Sequence, residues 1–399
     1  MLGAMSSLPV EDCALAQAHG RVLREPVRAD RPMPPFDRVT MDGYALRAAA
    51  VERGVREFRV LGMQAAGMIP LTLDADDGCI EIATGAVLPQ GADAVVPYEE
   101  TKSGQTPSAG GRAMITLAPD VAIEPGRNVH RRGSDAAEGE ILLEPGTRLG
   151  GGEIAVAATC GAAHVTVAAR PSIAIVATGD ELVEVDARDL TPHQVRKSND
   201  HALRAALMIS GLAGRIERLH LRDLRHEVES GLRRILSEFD VVLLTGGVSK
   251  GKFDFVPAAL ADLGVEEKLR GVAQRPGKPM WFGVSPRRTP VFALPGNPVS
   301  AYTCLHRYVL PALARMAGAV PPAAETVVLA ETVRFTPPLA YFLPVRVRTA
   351  EDGRQVAVPQ PFNTSGDLGG LVGTDGFLEL PADVNEFPSG STARFWRWR

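Results

Sequence analysis

Cysteine is scarce in this chain. Four residues in 399, Cys13, Cys79, Cys160 and Cys304, lie far apart and form no Cys-x-x-Cys. That spacing is neither a zinc pattern nor a disulfide framework, and it suits a reducing compartment. The histidines, among them His130, His164, His193, His201 and His220, are scattered without metal-ligand spacing. They read as surface or packing residues. No uninterrupted apolar run reaches about 18 residues, so no membrane span is expected. The opening Met-Leu-Gly-Ala-Met-Ser-Ser lacks the charged-then-apolar pattern of an export signal. A formal net charge of −4 argues against a nucleic-acid surface spread over the molecule, though not against a local basic pocket. No Ser/His/Asp or Cys/His nucleophile constellation can be read, and there are no repeats, coiled coils or low-complexity stretches. These absences lead us to expect a cytoplasmic protein with neither nucleic acid nor membrane as partner.

The length suits two to four domains at about 100–200 residues each. Apolar (45%) and charged (23%) contents are ordinary for a globular chain. Residues 10–24 read as a short helix, and Arg31-Pro-Met-Pro-Pro35 then breaks regular structure. From about 55 to 145, short alternating runs such as Glu57–Leu61, Cys79–Ala83 and Ala94–Tyr98 sit between turn signals, which reads as β structure. A helix-like Glu153–Thr159 follows. Ser172–Ala177 is nearly all apolar, as a strand buried on both faces should be. Helices near Asn199–Ser210 (with Asn199 or Asp200 as N-cap), Leu224–Glu238, Phe255–Leu263 and Val299–Arg315 alternate with strands at Arg215–Leu219, Val241–Leu244 and Val291–Leu294. That alternation implies a mostly parallel sheet with helices on both faces. After Pro321-Pro322 the text is β again.

The expected fold is therefore multidomain α/β plus β. A central doubly wound, mostly parallel α/β domain (169–318) is flanked by a β-rich N-terminal region (1–168) and a small barrel-like β domain (319–399). The N-terminal region divides into helix and linker segments, 1–50 and 145–168, around a β-rich 51–144.

Three glycine- and proline-punctuated turns follow in order: Thr245-Gly-Gly-Val-Ser-Lys-Gly-Lys-Phe-Asp254, Arg275-Pro-Gly-Lys-Pro279 and Leu294-Pro-Gly-Asn-Pro-Val-Ser300. The first and third leave strands, and the carboxyl ends of strands are where open α/β sheets bind ligands. Backbone N–H groups there favour anions, so a phosphorylated or oxyanionic ligand is expected. The first turn almost spells a nucleotide P-loop, but Phe253 stands where that motif needs Ser or Thr. A plain strand-to-helix turn would explain its glycines. Asp254 beside Ser249 adds a carboxylate and a hydroxyl suited to a hard cation. Asp180/Glu181 and Asp223 also follow strands. Alone, each could be a solvated helix start. Together with Asp254 they converge on one sheet edge in a doubly wound fold, where carboxylates facing phosphate require a cation between them. Arg275 and Lys278 flank Pro276-Gly277 and are read either as a solvent-facing turn or as cations aimed at an oxyanion. Asp42-Gly43, taken alone, reads as a hairpin turn.

These phrases closely resemble the molybdopterin molybdenumtransferase family, the MoeA proteins of bacteria, related to the gephyrin E domain of animals. The resemblance rests on Phe36-Asp37…Met41-Asp-Gly-Tyr-Ala45, Thr84-Gly-Ala-Val-Leu-Pro89, Glu124-Pro-Gly-Arg-Asn-Val129 with Arg132-Gly-Ser-Asp135, Thr178-Gly-Asp-Glu-Leu182, Ser198-Asn199, the three turns above, and Ser365-Gly-Asp-Leu368. It implies insertion of molybdenum from molybdate into adenylylated molybdopterin with release of AMP, dependent on Mg²⁺. It implies a homodimer whose composite site joins the α/β domain of one subunit to N-terminal residues of the other. Other cofactor-biosynthesis proteins are possible partners. Carried over by motif, the catalytic positions are Asp42, Thr84, Asp135, Glu181, Asp223 and Asp254, with Glu181, Asp223 and Asp254 as the metal set. The cofactor-binding positions are Gly246, Gly247, Ser249, Arg275, Lys278, Pro295, Asn297, Pro298 and Ser300, with Arg346 and Ser365 matching less closely. Competing implications are a molybdopterin adenylyltransferase-like activity, a tungsten-handling paralogue and a non-catalytic scaffold. The chain departs from the family at Arg38-Val39-Thr40, where bacterial relatives usually read Asn-Ser-Ala, and at Arg275, where Lys is common.

Overall fold

The structure, a computed structural model, describes residues 1–103, 113–247, 255–360, 364 and 366–398. The chain forms two compact units, one of Met1–Glu25, Glu144–Ile154 and His164–Arg399, the other of Pro26–Leu143 and Ala155–Ala163.

The first unit holds the α/β sheet. Its elements are β1 (Ile173–Thr178), α1 (Asn199–Ser210), β2 (Ile216–Leu221), α2 (Arg225–Glu238), β3 (Val241–Thr245), α3 (Val256–Asp262), β4 (Glu266–Arg270), β5 (Trp281–Val284), β6 (Pro290–Leu294) and α4 (Pro298–Cys304). The strand order is β2-β1-β3-β6-β5-β4. The first four run parallel, β5 pairs antiparallel with β6, and β4 pairs antiparallel with β5. Every residue of β1, β3 and β6 is buried. Successive side chains serve opposite cores, as a period of two requires. Ile173, Ile175 and Leu243 pack with Leu203 and Leu207 of α1 and Leu305 and Leu313 beyond α4. Ala174, Val176 and Leu244 pack with Leu232 and Ile235 of α2 and Leu260 of α3. Each fully buried aliphatic side chain contributes about 1.5–3 kcal/mol, so this platform is rigid where its strands end.

The terminal barrel is built from Glu325–Leu329, Ala340–Thr349, Gln355–Pro359, Gly376–Leu380 and Thr392–Arg397. Ala340–Thr349 pairs with both Gln355–Pro359 and Gly376–Leu380, which closes the ring around Leu329, Leu343, Val345, Leu378 and Phe395. The short strand Gln274–Arg275 adds alongside Ala340–Tyr341.

The second unit carries a six-stranded sheet ordered Ala94–Pro97, Gly43–Leu46, Gly78–Ile82, Glu57–Gln64, Met114–Leu117, Thr101–Ser103. Among the described residues, no helix is long and apolar enough to cross a membrane.

Four local expectations are corrected. Residues 10–24 are not a helix: Val10–Ala14 is a strand paired antiparallel with His164–Ala168, followed by a 3-10 turn. The partner His-Val-Thr-Val-Ala supplies a ladder that local propensity could not reveal, and Gly20 at φ +75° stops any helical continuation. The residue flanking α1 is Ser198, whose side chain makes no cap bond, and Asn199 is already helical. Val299–Arg315 is α4, then a π-turn at Leu305–Val309, then a helix at Leu310–Ala317. Pro311 lacks the N–H an unbroken α-helix would use. Asp42-Gly43 is no hairpin turn, because Gly43 opens a strand paired on both sides. A Cβ there would lie 1.9 Å from the Val96 carbonyl oxygen.

Candidate functional site

In a sheet ordered 2-1-3, the connections leave β1 and β3 on opposite faces, so a crevice opens beyond their carboxyl ends. A cavity of about 240 Å³ lies there, lined by Thr178, Glu181, Lys197, Asn199, Gly246, Gly296, Asn297 and Pro298 among others. Glycine is required at the end of β3. Gly247 has φ +66°, and a Cβ on it would sit 2.7 Å from Thr178 Oγ1. Thr178, only 4% exposed, holds a buried hydroxyl with no hydrogen-bond partner. The buried Asn199 Oδ1 is likewise unpartnered, while Asn199 Nδ2 donates to the Gly296 carbonyl at 2.7 Å. Buried polar atoms are normally satisfied, so two such atoms in one cavity mark where a polar ligand would bind. Lys197 is buried against Glu184, whose carboxyl it holds below its ordinary range.

The acids gather at the same edge. The Asp223 N–H donates to Asp180 Oδ1 at 3.2 Å. Burial raises the Asp223 carboxyl above its ordinary range, and the charges of Asp180 and Glu181 raise it further. His220 Nε2 donates to the Gly179 carbonyl at 2.9 Å, bracing the turn that carries these acids. Among the described residues, no group of three or more His, Cys, Asp or Glu stands ready to hold a metal ion. Asp254 and Ser249 lie outside the described residues.

A second cavity of about 350 Å³ adjoins this region and shares Asn297 with it. Its lining includes Arg275, Lys278, Pro295, Ser300, Leu339 and Thr364. The cation turn is anchored from below. Buried Gln274 donates to the Pro276 carbonyl at 3.0 Å, and Tyr308 Oη donates to Gln274 Oε1. Gly277 has φ +95°, and a Cβ there would meet Gln274 Nε2 at 2.6 Å and Cys304 Sγ at 2.7 Å. Burial pushes the Cys304 thiol up to about 12, so it packs rather than reacts. Arg275 and Lys278 are exposed at the rim while Ser300 is buried beneath.

Arg346 lines neither cavity, and its Nε donates to the Gly373 carbonyl at 3.0 Å. Ser365 lies outside the described residues, although its neighbour Thr364 reaches the second cavity. In the second unit, the Thr84 N–H donates to Asp42 Oδ1 at 2.6 Å. That backbone bond, followed by the Thr84 side chain, holds the Asp42 carboxyl below its ordinary range. Asp135 is bonded to His130 Nε2 at 2.7 Å. Sequence reasoning missed Thr178, Lys197 and His130. Thr178 opens one quoted motif and Lys197 borders another, a usable signal, whereas His130 carries none.

Residues 2–161 match the MoeA N-terminal region (domain I and II), 174–315 a probable molybdopterin binding domain, and 326–398 the MoeA C-terminal region (domain IV). A molybdopterin molybdenumtransferase of Synechocystis sp. is 38% identical over 382 residues, spanning 96% of this chain and 93% of that one. One from Staphylococcus epidermidis is 30% identical over 384 residues, spanning 94% and 88%. The crystal structure of the molybdopterin biosynthesis moeA protein from Pyrococcus horikoshii OT3 matches with a TM-score of 0.81 at 26% identity, over 99% of this chain and 97% of that one.

Proposed function

The chain belongs to the MoeA family, the molybdopterin molybdenumtransferases of molybdenum cofactor biosynthesis, and from that premise we propose that it inserts molybdenum from molybdate into adenylylated molybdopterin, releasing AMP. The observation that carries this reading is the pair of adjoining cavities meeting at Asn297. One offers unpartnered Thr178 and Asn199 oxygens to a polar heterocycle and its phosphates. The other presents Arg275 and Lys278 to a small tetrahedral dianion. Arg suits two-point oxyanion contact and Lys a point charge. A molybdate held there sits beside the ligand in the first cavity, so binding itself supplies the proximity that metal insertion needs.

The donor chemistry fits Mg²⁺. The acids are hard oxygen donors. Burial, and after it the charges of Asp180 and Glu181, raise Asp223, and a divalent cation would relieve that penalty on its charged form. Glu181 and Asp223, with Asp254 outside the described residues, would hold it. Bound there, it would supply charge neutralisation at the phosphoanhydride. The chain's own part is to orient the phosphates at the β1 and β3 ends and to fix the oxyanion at the cation turn. Asp42, Thr84 and Asp135 serve the partner subunit's site in a two-fold homodimer, and Arg346 and Ser365 keep the ligand-binding role that the family resemblance implies for them. Four unpaired cysteines suit the cytoplasm. The three family matches support domain limits near 168/169 and 318/319.

The direct test incubates the protein with adenylylated molybdopterin, Mg²⁺ and molybdate. AMP release in step with metal insertion is expected. Metal insertion without AMP, or no turnover in the complete mixture, overturns the reading.

A further inference from the structure

Two short strands of the second unit, Arg38–Val39 and Val129–His130, pair antiparallel with His130 directly opposite Arg38. Directly opposed residues share a face of the pair. Here the shared face makes a chain of contacts. Arg38 Nη2 lies 3.1 Å from His130 Nδ1, and His130 Nε2 lies 2.7 Å from Asp135 Oδ1. A guanidinium has donors only, so the ring nitrogen facing Arg38 must accept. The imidazole proton then sits on Nε2, where it is donated to the carboxylate. The opposite tautomer would set N–H against N–H at one end and a lone pair against a carboxylate at the other. One tautomer satisfies both contacts.

The surroundings hold this segment still. Arg131 Nη1 donates to Asp37 Oδ2 at 2.9 Å and the Arg132 N–H to Asp37 Oδ1 at 2.8 Å. The Asp135 N–H donates to the Met33 carbonyl at 2.8 Å. Asp37 and Arg38 thus grip residues 130–132 between them. His130 and Asp135 side chains are 32% and 53% exposed, so water screens their attraction, and the bond acts on direction more than on energy.

We propose that Arg38 and His130 are a positioning pair that fixes the direction of the Asp135 carboxylate, with Arg38 selecting the histidine tautomer. The pair rests on the reading of Asp135 as a residue of the site. It also gives a role to Arg38.

Two measurements separate the pair from the role of Asp135. In isotope-labelled full-length protein, heteronuclear NMR of the ring nitrogens should find His130 protonated at Nε2 alone, and Arg38→Met should mix the two tautomers. An Nδ1-protonated His130, or an unchanged pattern in Arg38→Met, overturns the pair. In turnover assays, His130→Phe should lower kcat about tenfold, the range for residues that orient functional groups, with KM for molybdate unchanged. His130→Gln, whose amide can accept from Arg38 and donate to Asp135, should restore most of it. Equal turnover in the Phe and Gln variants overturns the positioning role. Wild-type turnover in Asp135→Asn overturns it too, through the reading it rests on, and leaves the tautomer result standing.

Discussion

Asn199 donates through Nδ2 to the carbonyl of Gly296 at 2.7 Å, tying the first turn of one helix to the turn that follows the last parallel strand. Its other amide atom faces inward without a partner. One side chain thus joins two cavity walls and offers an acceptor between them. We predict that Asn199→Ala destabilises the fold by about 1 kcal/mol, the net worth of one partly buried hydrogen bond. It should weaken molybdopterin binding about tenfold, which is 1.4 kcal/mol by the same arithmetic. Titration calorimetry beside thermal melts reads both, and unchanged affinity with a lowered melting temperature would assign the residue to structure alone.

The acidic edge has a pH signature. Burial, then Asp180 and Glu181, raise the folded-state Asp223 carboxyl above its ordinary value of 3.8. Below the unfolded pKa both states carry the proton, so there is no penalty. As pH rises through the folded pKa the native state carries a charge it disfavours. In metal-free buffer, Asp223→Asn should therefore raise Tm at pH 7, with the gain gone below about pH 4. Added Mg²⁺ should stabilise wild type more than the variant. A lower Tm for the variant at pH 7 contradicts this penalty from burial and neighbouring charge.

At the cation turn, Lys278→Ala and Arg275→Ala should each weaken molybdate binding about tenfold, with kcat at saturating molybdate less affected. Salt should weaken the wild type as well, because both cations are exposed at the rim and exposed charges are screened over roughly 8 Å at physiological ionic strength. Affinity that ignores both substitutions would place the anion elsewhere.

Gly43 tests the second unit. A Cβ there would sit 1.9 Å from the Val96 carbonyl oxygen, which belongs to a paired backbone and has nowhere to retreat. Gly43→Ala should cost about 3 kcal/mol, the upper range of overpacking. A denaturation midpoint like that of wild type would refute the packing described here.

The shared site of the proposed homodimer predicts complementation. Asp42→Asn and Glu181→Gln should each be inactive as homodimers. A heterodimer of the two, isolated with two tags, should regain at most about half of wild-type activity, since one of two symmetric sites is whole. An inactive heterodimer would mean each site is built within one subunit.

Much of this fold is legible in the sequence. The buried run Ser172–Ala177 and the amphipathic Asn199–Ser210 announced the parallel sheet because burial on both faces and a single apolar stripe leave different patterns. The antiparallel extension escaped. Glu266-Glu-Lys-Leu-Arg270 is a charged edge strand whose only reason to be extended is its neighbour Trp281–Val284. The strand at Val10–Ala14 failed for the same reason, its partner lying at His164–Ala168. The turns carrying Gly246, Gly277 and Pro298 were legible because backbone geometry there admits few residues. His130 was not, because nothing in a lone histidine says which side chains a two-residue ladder will bring against it.

The two-residue strand Gln274–Arg275 is the place where the α/β fold and the barrel become one piece of masonry. Arg275 is registered against Tyr341, and Leu339 and Thr364 close the cavity that the cation turn opens. The barrel is therefore a wall of the second cavity. Removing the chain beyond residue 318 would take away none of the residues that line the crevice at the ends of β1 and β3, yet would strip one wall from beside the cation turn. The linings differ accordingly: the first cavity draws only on residues 177–298, the second also on Leu339 and Thr364 beyond the cut.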